Sequence, residues 1–399
     1  MRPTHAEIDL SAVSANVSLA CRLAGRDTQV MAIVKADAYG HGAVPVSKAA
    51  LEAGATWLGV AVPEEAAPLR AAGITSRILV LGPIAPDQAD LVVALDLDQT
   101  VCDPSLAEAV DRVARARGRV ISLHLKVDTG MHRVGIRPQQ VQSVAERIAA
   151  LRSVRLVGLM THLAAAEAED PAFAREQLAR FAEAERGLAA AGIRISVRHA
   201  ANSAALIFLP EARLDLVRPG IMLYGCHPRG RQRHIEPLLT PALRLRTVIS
   251  HIQEVARGDS VSYGRTFVAP RDLCVATLPV GYADGYGRLL SNQGHVLIRG
   301  LRVPIVGRVC MDMTMVDATR ASGARAGEEV VLIGRQGAEE ITADDVAELQ
   351  GTISYEVLCR IGPRVPRIYL PSSPALSLTR HSRNQTGKIF KQCRMSNSE

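Results

Sequence analysis

Between residues 30 and 223, short apolar runs alternate with alanine-rich stretches, and this rhythm restricts the fold more than any other feature. The apolar runs lie at 30–34, 57–62, 77–81, 99–102, 122–127, 155–161, 193–197 and 214–223. Runs of this length, rich in Val, Ile and Leu, read as buried strands. The stretches 45–53, 64–72, 105–117, 138–151 and 170–191 carry the longer apolar spacing of helices. Strands joined by helical crossovers pair in parallel. Eight such units with continuously apolar strands match the count of a closed (β/α)8 barrel, in preference to an open doubly wound sheet. One more strand candidate, 6–10, precedes the series.

From residue 237 the pattern changes. Short runs at 242–253, 273–278, 295–298, 302–309, 313–317, 329–333 and 364–369 are punctuated by Gly and Pro, and only 342–349 reads as a helix. The expected fold class is therefore α/β: an N-terminal (β/α)8 barrel over 1–236, followed by a mainly β C-terminal domain over 237–370. Residues 371–399 read as a disordered basic tail with few apolar groups to bury. That tail holds Arg380, Arg383, Lys388, Lys391 and Arg394 against Glu399, most of the chain's net charge of +7. The remainder has no basic face for nucleic acid. Seven scattered cysteines without a C-x-x-C pair suggest neither a zinc site nor a disulfide framework. No apolar run approaches the roughly 20 residues of a membrane span, and the N-terminus lacks a signal-peptide core. A reducing cytoplasm is the expected compartment.

In a barrel, chemistry collects at the C-terminal ends of the strands. After the first strand comes Val34-Lys35-Ala36-Asp37-Ala38-Tyr39-Gly40-His41-Gly42. A lysine among apolar neighbours loses hydration, its pKa falls, and its amine becomes able to form a Schiff base. Gly40 and Gly42 permit a tight turn. Lys126, Asp128 and Arg133 follow the fifth strand, and Thr161-His162 ends the sixth. His199-Ala200-Ala201-Asn202-Ser203 ends the seventh, and Arg218-Pro219-Gly220-Ile221 belongs to the eighth. A lone strand-end lysine more often snorkels to water, and a lone histidine more often fills a core. Five such clusters in register instead point to a site.

These segments resemble the alanine racemases. So do Ser262-Tyr263-Gly264-Arg265, Gly281-Tyr282-Ala283-Asp284-Gly285-Tyr286, Gly307-Arg308-Val309-Cys310-Met311-Asp312 and Thr352-Ile353-Ser354-Tyr355-Glu356. The resemblance runs from residue 7 to residue 369, in the family's order and spacing. It implies a pyridoxal 5'-phosphate (PLP)-dependent racemase of fold type III that interconverts L- and D-alanine with two bases and supplies D-alanine for peptidoglycan. By the same resemblance, Lys35 carries the cofactor, and Tyr39, Asn202, Ser203, Tyr355 and the amides of Gly220 and Ile221 help to bind it. His162 lies against the ring and hydrogen-bonds Tyr263. Arg218, oriented by His199, faces the pyridine nitrogen. Because an arginine keeps its proton, that nitrogen stays unprotonated and side reactions are suppressed.

The resemblance makes Lys35 and Tyr263 the catalytic bases, on opposite faces of the substrate. It has Arg133 and the Met311 amide hold the substrate carboxylate, while a carbamylated Lys126 orients Arg133. Tyr263, Tyr282, Met311 and Asp312 come from the partner subunit of a head-to-tail homodimer. Tyr282, Arg288, Arg308, Ile353 and Tyr355 line a narrow access corridor. One departure stands out: the family's Phe-Ala-x-Ala-Asp after Thr161-His162 is here Leu163-Ala164-Ala165-Ala166-Glu167, with a longer acid at the corridor. Three other readings stay open. A decarboxylase of the same fold needs a Gly-Gly-Gly phosphate loop and a cysteine motif absent here. A non-catalytic PLP-binding barrel lacks the second domain. A broader alanine and serine racemase shares every motif.

Overall fold

The computed structural model describes residues 2–230 and 237–370; the expected tail 371–399 and the barrel's expected last residue lie outside them. Strand β1 (His5–Asp9) runs into helix α1 (Leu10–Ala24), whose first turn is capped by the Asp9 carboxylate accepting the Ser11 and Ala12 N–H groups. Eight parallel strands follow: β2 (Gln29–Ile33), β3 (Trp57–Val60), β4 (Arg77–Val80), β5 (Asp98–Val101), β6 (Ile121–Lys126), β7 (Val154–Met160), β8 (Val197–His199) and β9 (Leu216–Val217). They pair in the order β8-β7-β6-β5-β4-β3-β2-β9. Between β8 and β9 the ring is drawn together by the Asp215 N–H donating to the Arg198 carbonyl at 3.1 Å and by the Arg198–Asp215 ion pair at 2.7 Å. The expected barrel is thus present and nearly closed.

Two barrel strands differ from expectation. The seventh, expected at 193–197, pairs only from Val197 to His199, while Ile193 and Ile195 pack as partly buried approach residues. The eighth, expected at 214–223, pairs only at Leu216–Val217. Pro219 has no N–H to offer the ladder. The chain leaves the barrel there and forms the single 3-10 turn Ile221–Tyr224.

The later part is mainly β. Its larger sheet runs Leu301–Pro304, His295–Ile298, Glu329–Gln336, Leu243–Val248, β1, Arg367–Leu370, with Glu339–Ile341 on the side of Glu329–Gln336. A second sheet pairs His251–Val255, Leu273–Leu278 and Thr314–Asp317. The expected run 242–253 is two of these strands. Strand β1 therefore joins the later sheet and not the barrel. It is antiparallel to Leu243–Val248 and parallel to Arg367–Leu370. Its alternation explains the docking: Ala6 and Ile8 are fully buried, while Glu7 pairs with Arg244 and Arg246 at 3.0 and 2.9 Å. A helix at Ser354–Arg360 adds to the expected one, seen here at Ala343–Gln350. The aromatic and β-branched content of Ser-Tyr-Glu-Val-Leu had concealed it. One apolar core is continuous across both parts, and no helix among the described residues is long and apolar enough to cross a membrane.

Candidate active site

Beyond β2 the backbone makes a left-handed turn, with Ala36, Asp37, Ala38 and Tyr39 all at φ between 51° and 54°. L-residues avoid this region at roughly 1–2 kcal/mol each, so the turn must be held from outside. Glu65, in the 3-10 turn after β3, grips it by accepting the Ala36 N–H on one oxygen and the Ala61 N–H on the other, both at 2.7 Å. Asp37 accepts the Gly42 and Ala43 N–H groups at 2.9 and 2.7 Å. The buried His41 ring donates from Nδ1 to the Ala38 and Tyr39 carbonyls. From the later part, helix Ser354–Arg360 presses on the turn. At Gly40 (φ 80°) a Cβ would lie 2.5 Å from the Leu358 carbonyl oxygen.

This turn aims Tyr39 inward, where its ring packs 4.8 Å from Tyr224 and 6.0 Å from the half-buried Tyr355. A Cβ on Gly220 would come 2.6 Å from the Tyr39 hydroxyl, so the chain can pass only as glycine. Ser203 Oγ accepts the Gly220 N–H at 2.8 Å, which leaves its own proton to donate. Ile221 opens a one-turn helix, and its amide has no acceptor inside that turn. Burial holds the Tyr39 and Tyr355 phenols well above their usual range, so both remain O–H donors. Asn202 spends its side-chain oxygen capping Ser203–Phe208, accepting the Ala205 N–H at 3.0 Å, and so helps to hold Ser203.

Cations gather beside these donors. The Lys35 ammonium is lowered chiefly by burial and next by Arg133, with Glu65 opposing. Lys126 is pulled down to about 8 by burial, then by Arg218 and Arg133. Arg218, 4% exposed, donates to His199 Nδ1 at 2.9 Å, to the Thr161 and Ala200 carbonyls at 2.7 and 3.0 Å, and to His162 Nδ1 at 3.3 Å. Burial lowers its pKa, yet a guanidinium stays charged at neutral pH. Burial and then Arg218 keep His162 and His199 neutral. Asp128 spends its carboxylate on the Gly130 and His132 N–H groups and the His132 ring, which shapes the loop that carries Arg133. Arg133 itself is exposed and forms no ion pair among the described residues.

Lys35, Tyr39, Lys126, His162, His199, Ser203, Arg218, Gly220, Ile221 and Tyr355 thus gather at the ends of the barrel strands. Tyr263 does not. It is 74% exposed, on the 3-10 turn Tyr263–Arg265. Tyr282 and Met311 are also exposed, and Asp312 bonds Arg364 at 2.7 Å. Their segments lie side by side: the Ser262 hydroxyl donates to the Arg308 carbonyl, and the Tyr282 and Ala283 amides donate to the Cys310 and Met311 carbonyls. Among the described residues, no hydrogen bond or ring contact joins this group to the barrel mouth. Glu65, Asp98 and His124 were missed in the sequence; their only signal was a polar residue inside or just after an apolar strand.

The donor set suits PLP. The glycine passage at Gly220, the hydroxyls of Tyr39 and Ser203 and the Ile221 amide form a cradle for a phosphate. Lys35 offers an amine of lowered pKa for a carbonyl, and the buried Arg218 is bonded by two histidines and two backbone carbonyls, with no carboxylate in contact. A barrel mouth furnished in this way, next to a β part, defines the class of fold-type III pyridoxal-phosphate enzymes. Family models described as "Alanine racemase, N-terminal domain" and "Alanine racemase, C-terminal domain" match residues 8–228 and 242–369. The chain is 49% identical over 370 residues to the alanine racemase of Symbiobacterium thermophilum, covering 92% of this chain and 97% of the relative. It is 46% identical over 369 residues to that of Halothermothrix orenii, again covering 92% and 97%. The crystal structure of alanine racemase from Bacillus anthracis with bound L-Ala-P superposes with a TM-score of 0.88 at 38% identity, covering 93% of this chain and 96% of that one. The chain belongs to the alanine racemase family. Members are PLP-dependent isomerases, and supplying D-alanine for peptidoglycan is the family's general role.

Proposed function

We propose that this chain racemises alanine with two opposed bases, Lys35 and Tyr263, in a head-to-tail homodimer whose sites are shared. One observation carries the reading: the residues around Lys35 converge at the barrel mouth, while Tyr263 stands 74% exposed on the later part. A phenol left in solvent on one copy is available to the open barrel of another. The proposed division is a PLP-binding barrel over 1–236 and a β domain over 237–370, with β1 lent to the later sheet. The proposed compartment is the cytoplasm.

Bound PLP supplies the electron-withdrawing ring that makes the Cα–H of alanine acidic. Lys35, Tyr39, Ser203, Gly220, Ile221 and Tyr355 would hold it, with Asn202 positioning Ser203 and Arg218 facing the ring nitrogen. The Lys35 amine holds or takes the proton on one face of Cα, helped by its lowered pKa. Tyr263 serves the other face. A tyrosine near pKa 10 is a poor base at pH 7 unless its phenolate is stabilised. Arg218 provides a route, because its N–H bonds His162 Nδ1. The neutral His162 ring then carries its proton on Nε2 and presents a donor to a phenolate. Arg133 and the Met311 amide would hold the substrate carboxylate, and Tyr282 and Asp312 would shape the site from the partner's side.

The test is facial. Tyr263→Phe should still bind PLP and exchange the Cα proton of D-alanine with solvent deuterium, while exchange of L-alanine falls about a hundredfold or more, the scale of a lost general base. Equal loss for both enantiomers overturns the opposed-base assignment. Mixing Tyr263→Phe with Lys35→Ala subunits should restore one intact site per heterodimer, and no recovery overturns the shared site.

A further inference from the structure

Behind the site a line of buried polar groups runs from Arg218, just after β9, through β8 and β6 to β5. Arg218 Nη1 lies 2.9 Å from His199 Nδ1, His199 Nε2 lies 2.8 Å from His124 Nδ1, and His124 Nε2 lies 3.3 Å from Asp98 Oδ2. Both rings are fully buried, and Asp98 is 8% exposed. The line ends on Arg77, which bonds Asp98 at 2.6 Å and lies over the Trp57 ring.

The proton positions follow from the two ends. Arginine can only donate, so His199 Nδ1 must present its lone pair and its proton must sit on Nε2. That N–H points at His124 Nδ1, which must accept, so His124 carries its proton on Nε2. Ionised Asp98 can only accept, and it receives that proton's hydrogen bond. One arrangement satisfies every group. The opposite tautomers would place the His199 Nδ1–H against an arginine N–H and the His124 lone pair against a carboxylate. Burial holds both rings neutral, so each has one proton to place.

We propose that Asp98 and His124, which lie behind His199, are positioning residues: Arg218 selects the His199 tautomer, and the His124 ring with the charged acceptor at Asp98 backs that ring and thereby holds the Arg218 guanidinium in place. The backbone is built for this. The β6–β7 pairing shifts register between Leu123 and His124, and Gly158 stands opposite. A Cβ at Gly158 would collide with His124 Nδ1, the atom that accepts from His199. Asp98 also supplies the negative charge that the arginine end lacks in direct contact, two rings away and out of reach of the ring nitrogen. An acid placed directly beside that nitrogen would keep it protonated; one placed behind two neutral rings steadies Arg218 instead.

The inference rests on the site reading above, but its readout is independent of turnover. The full chain, loaded with PLP and labelled with 15N-histidine, is measured by long-range 1H–15N correlation. In the wild type, His124 and His199 should each show a protonated Nε2 and an unprotonated Nδ1. Asp98→Asn, nearly isosteric, presents an amide that can donate as well as accept. Its oxygen can still accept the His124 Nε2–H, so the tautomers selected by Arg218 should be kept, while the His124 Nε2 proton, no longer bonded to a charge, should shift upfield and exchange faster with water. Arg77→Gln, which removes only the outer partner of Asp98, should leave both rings unchanged. In Asp98→Asn, kcat should fall roughly tenfold, the low end for losing an outer partner of a positioned histidine, with KM for alanine within about twofold. A protonated Nδ1 on His199 in the wild type overturns the proposal. So does an unchanged His124 Nε2 proton resonance in Asp98→Asn, even if that variant melts earlier. Wild-type racemisation tests the site reading separately, so the two can fail independently.

Discussion

Replacing Lys126 with methionine removes a cation from the floor of the site while keeping the length of its stem. In the wild type, burial and then Arg218 and Arg133 bring this lysine down to about 8. At pH 7.5 about a quarter of it is then neutral amine, against roughly one part in a thousand for an exposed lysine near 10.4. The form able to attack carbon dioxide is thus enriched about two-hundredfold over an ordinary lysine. Once the ammonium has released its proton, attack by the amine nitrogen on the carbon of CO2, with loss of a second proton from that nitrogen, would turn a cation into an anion beside Arg133 and Arg218. Protein equilibrated with 13C-bicarbonate should show one carbamate resonance per chain that Lys126→Met lacks. Bicarbonate should also raise the melting temperature of the wild type at pH 8 and leave the variant unmoved. Without carbon dioxide, the folded state holds the Lys126 proton more weakly than the unfolded chain does. Its cost is therefore full below pH 8 and is relieved as pH rises toward 10.4, and the wild type should gain stability relative to Lys126→Met across that window. A folded, loaded wild type with no carbamate resonance, or equal bicarbonate responses in both proteins, would refute the reasoning.

Two further outcomes follow from contacts around the cradle. Gly220→Ala places a methyl 2.6 Å from the Tyr39 hydroxyl, so dialysis should strip PLP from it at least about fivefold more readily, given an overpacking penalty of roughly 1–3 kcal/mol; unchanged retention counts against the cradle. Glu65 is the acid that raises Lys35, so in Glu65→Gln the pH midpoint for borohydride-trapped capture of PLP by the apoprotein should move down, and an upward move would contradict the assignment.

The barrel strands were legible because most of them are short, largely apolar runs between helical stretches, and the motifs at their ends were legible because barrel chemistry collects there. What escaped depended on neighbours distant in sequence. The eighth strand read as ten residues because Leu214 to Leu223 are mostly apolar, yet Pro219 ends the ladder and sends Gly220 and Ile221 toward Tyr39. Glu65 looks like one more acid in a helix start until its two oxygens are seen to bind Ala36 and Ala61. Asp98 and His124 are ordinary polar interruptions of strands, and only the barrel's closure brings them onto one line with Arg218. Tyr263 was legible by resemblance alone. Its exposed place on the single chain gives it no partner that local sequence could reveal.

The placement of β1 also sets a timetable for synthesis. Strand β1 sits between Leu243–Val248 and Arg367–Leu370, so both of its neighbours leave the ribosome far later than it does. At translation rates of about 5–20 residues per second, Leu370 follows Asp9 by roughly 20 to 70 seconds. Until Leu243–Val248 emerges, Ala6 and Ile8 have no sheet to enter, although the barrel strands made before it can already pair. Made without its first nine residues, the later sheet would lose an interior strand and gain two open edges, each a template for pairing with another chain. Strands β1 and Arg367–Leu370 thus enter the sheet as one folding event, which waits for Arg367–Leu370 to be released.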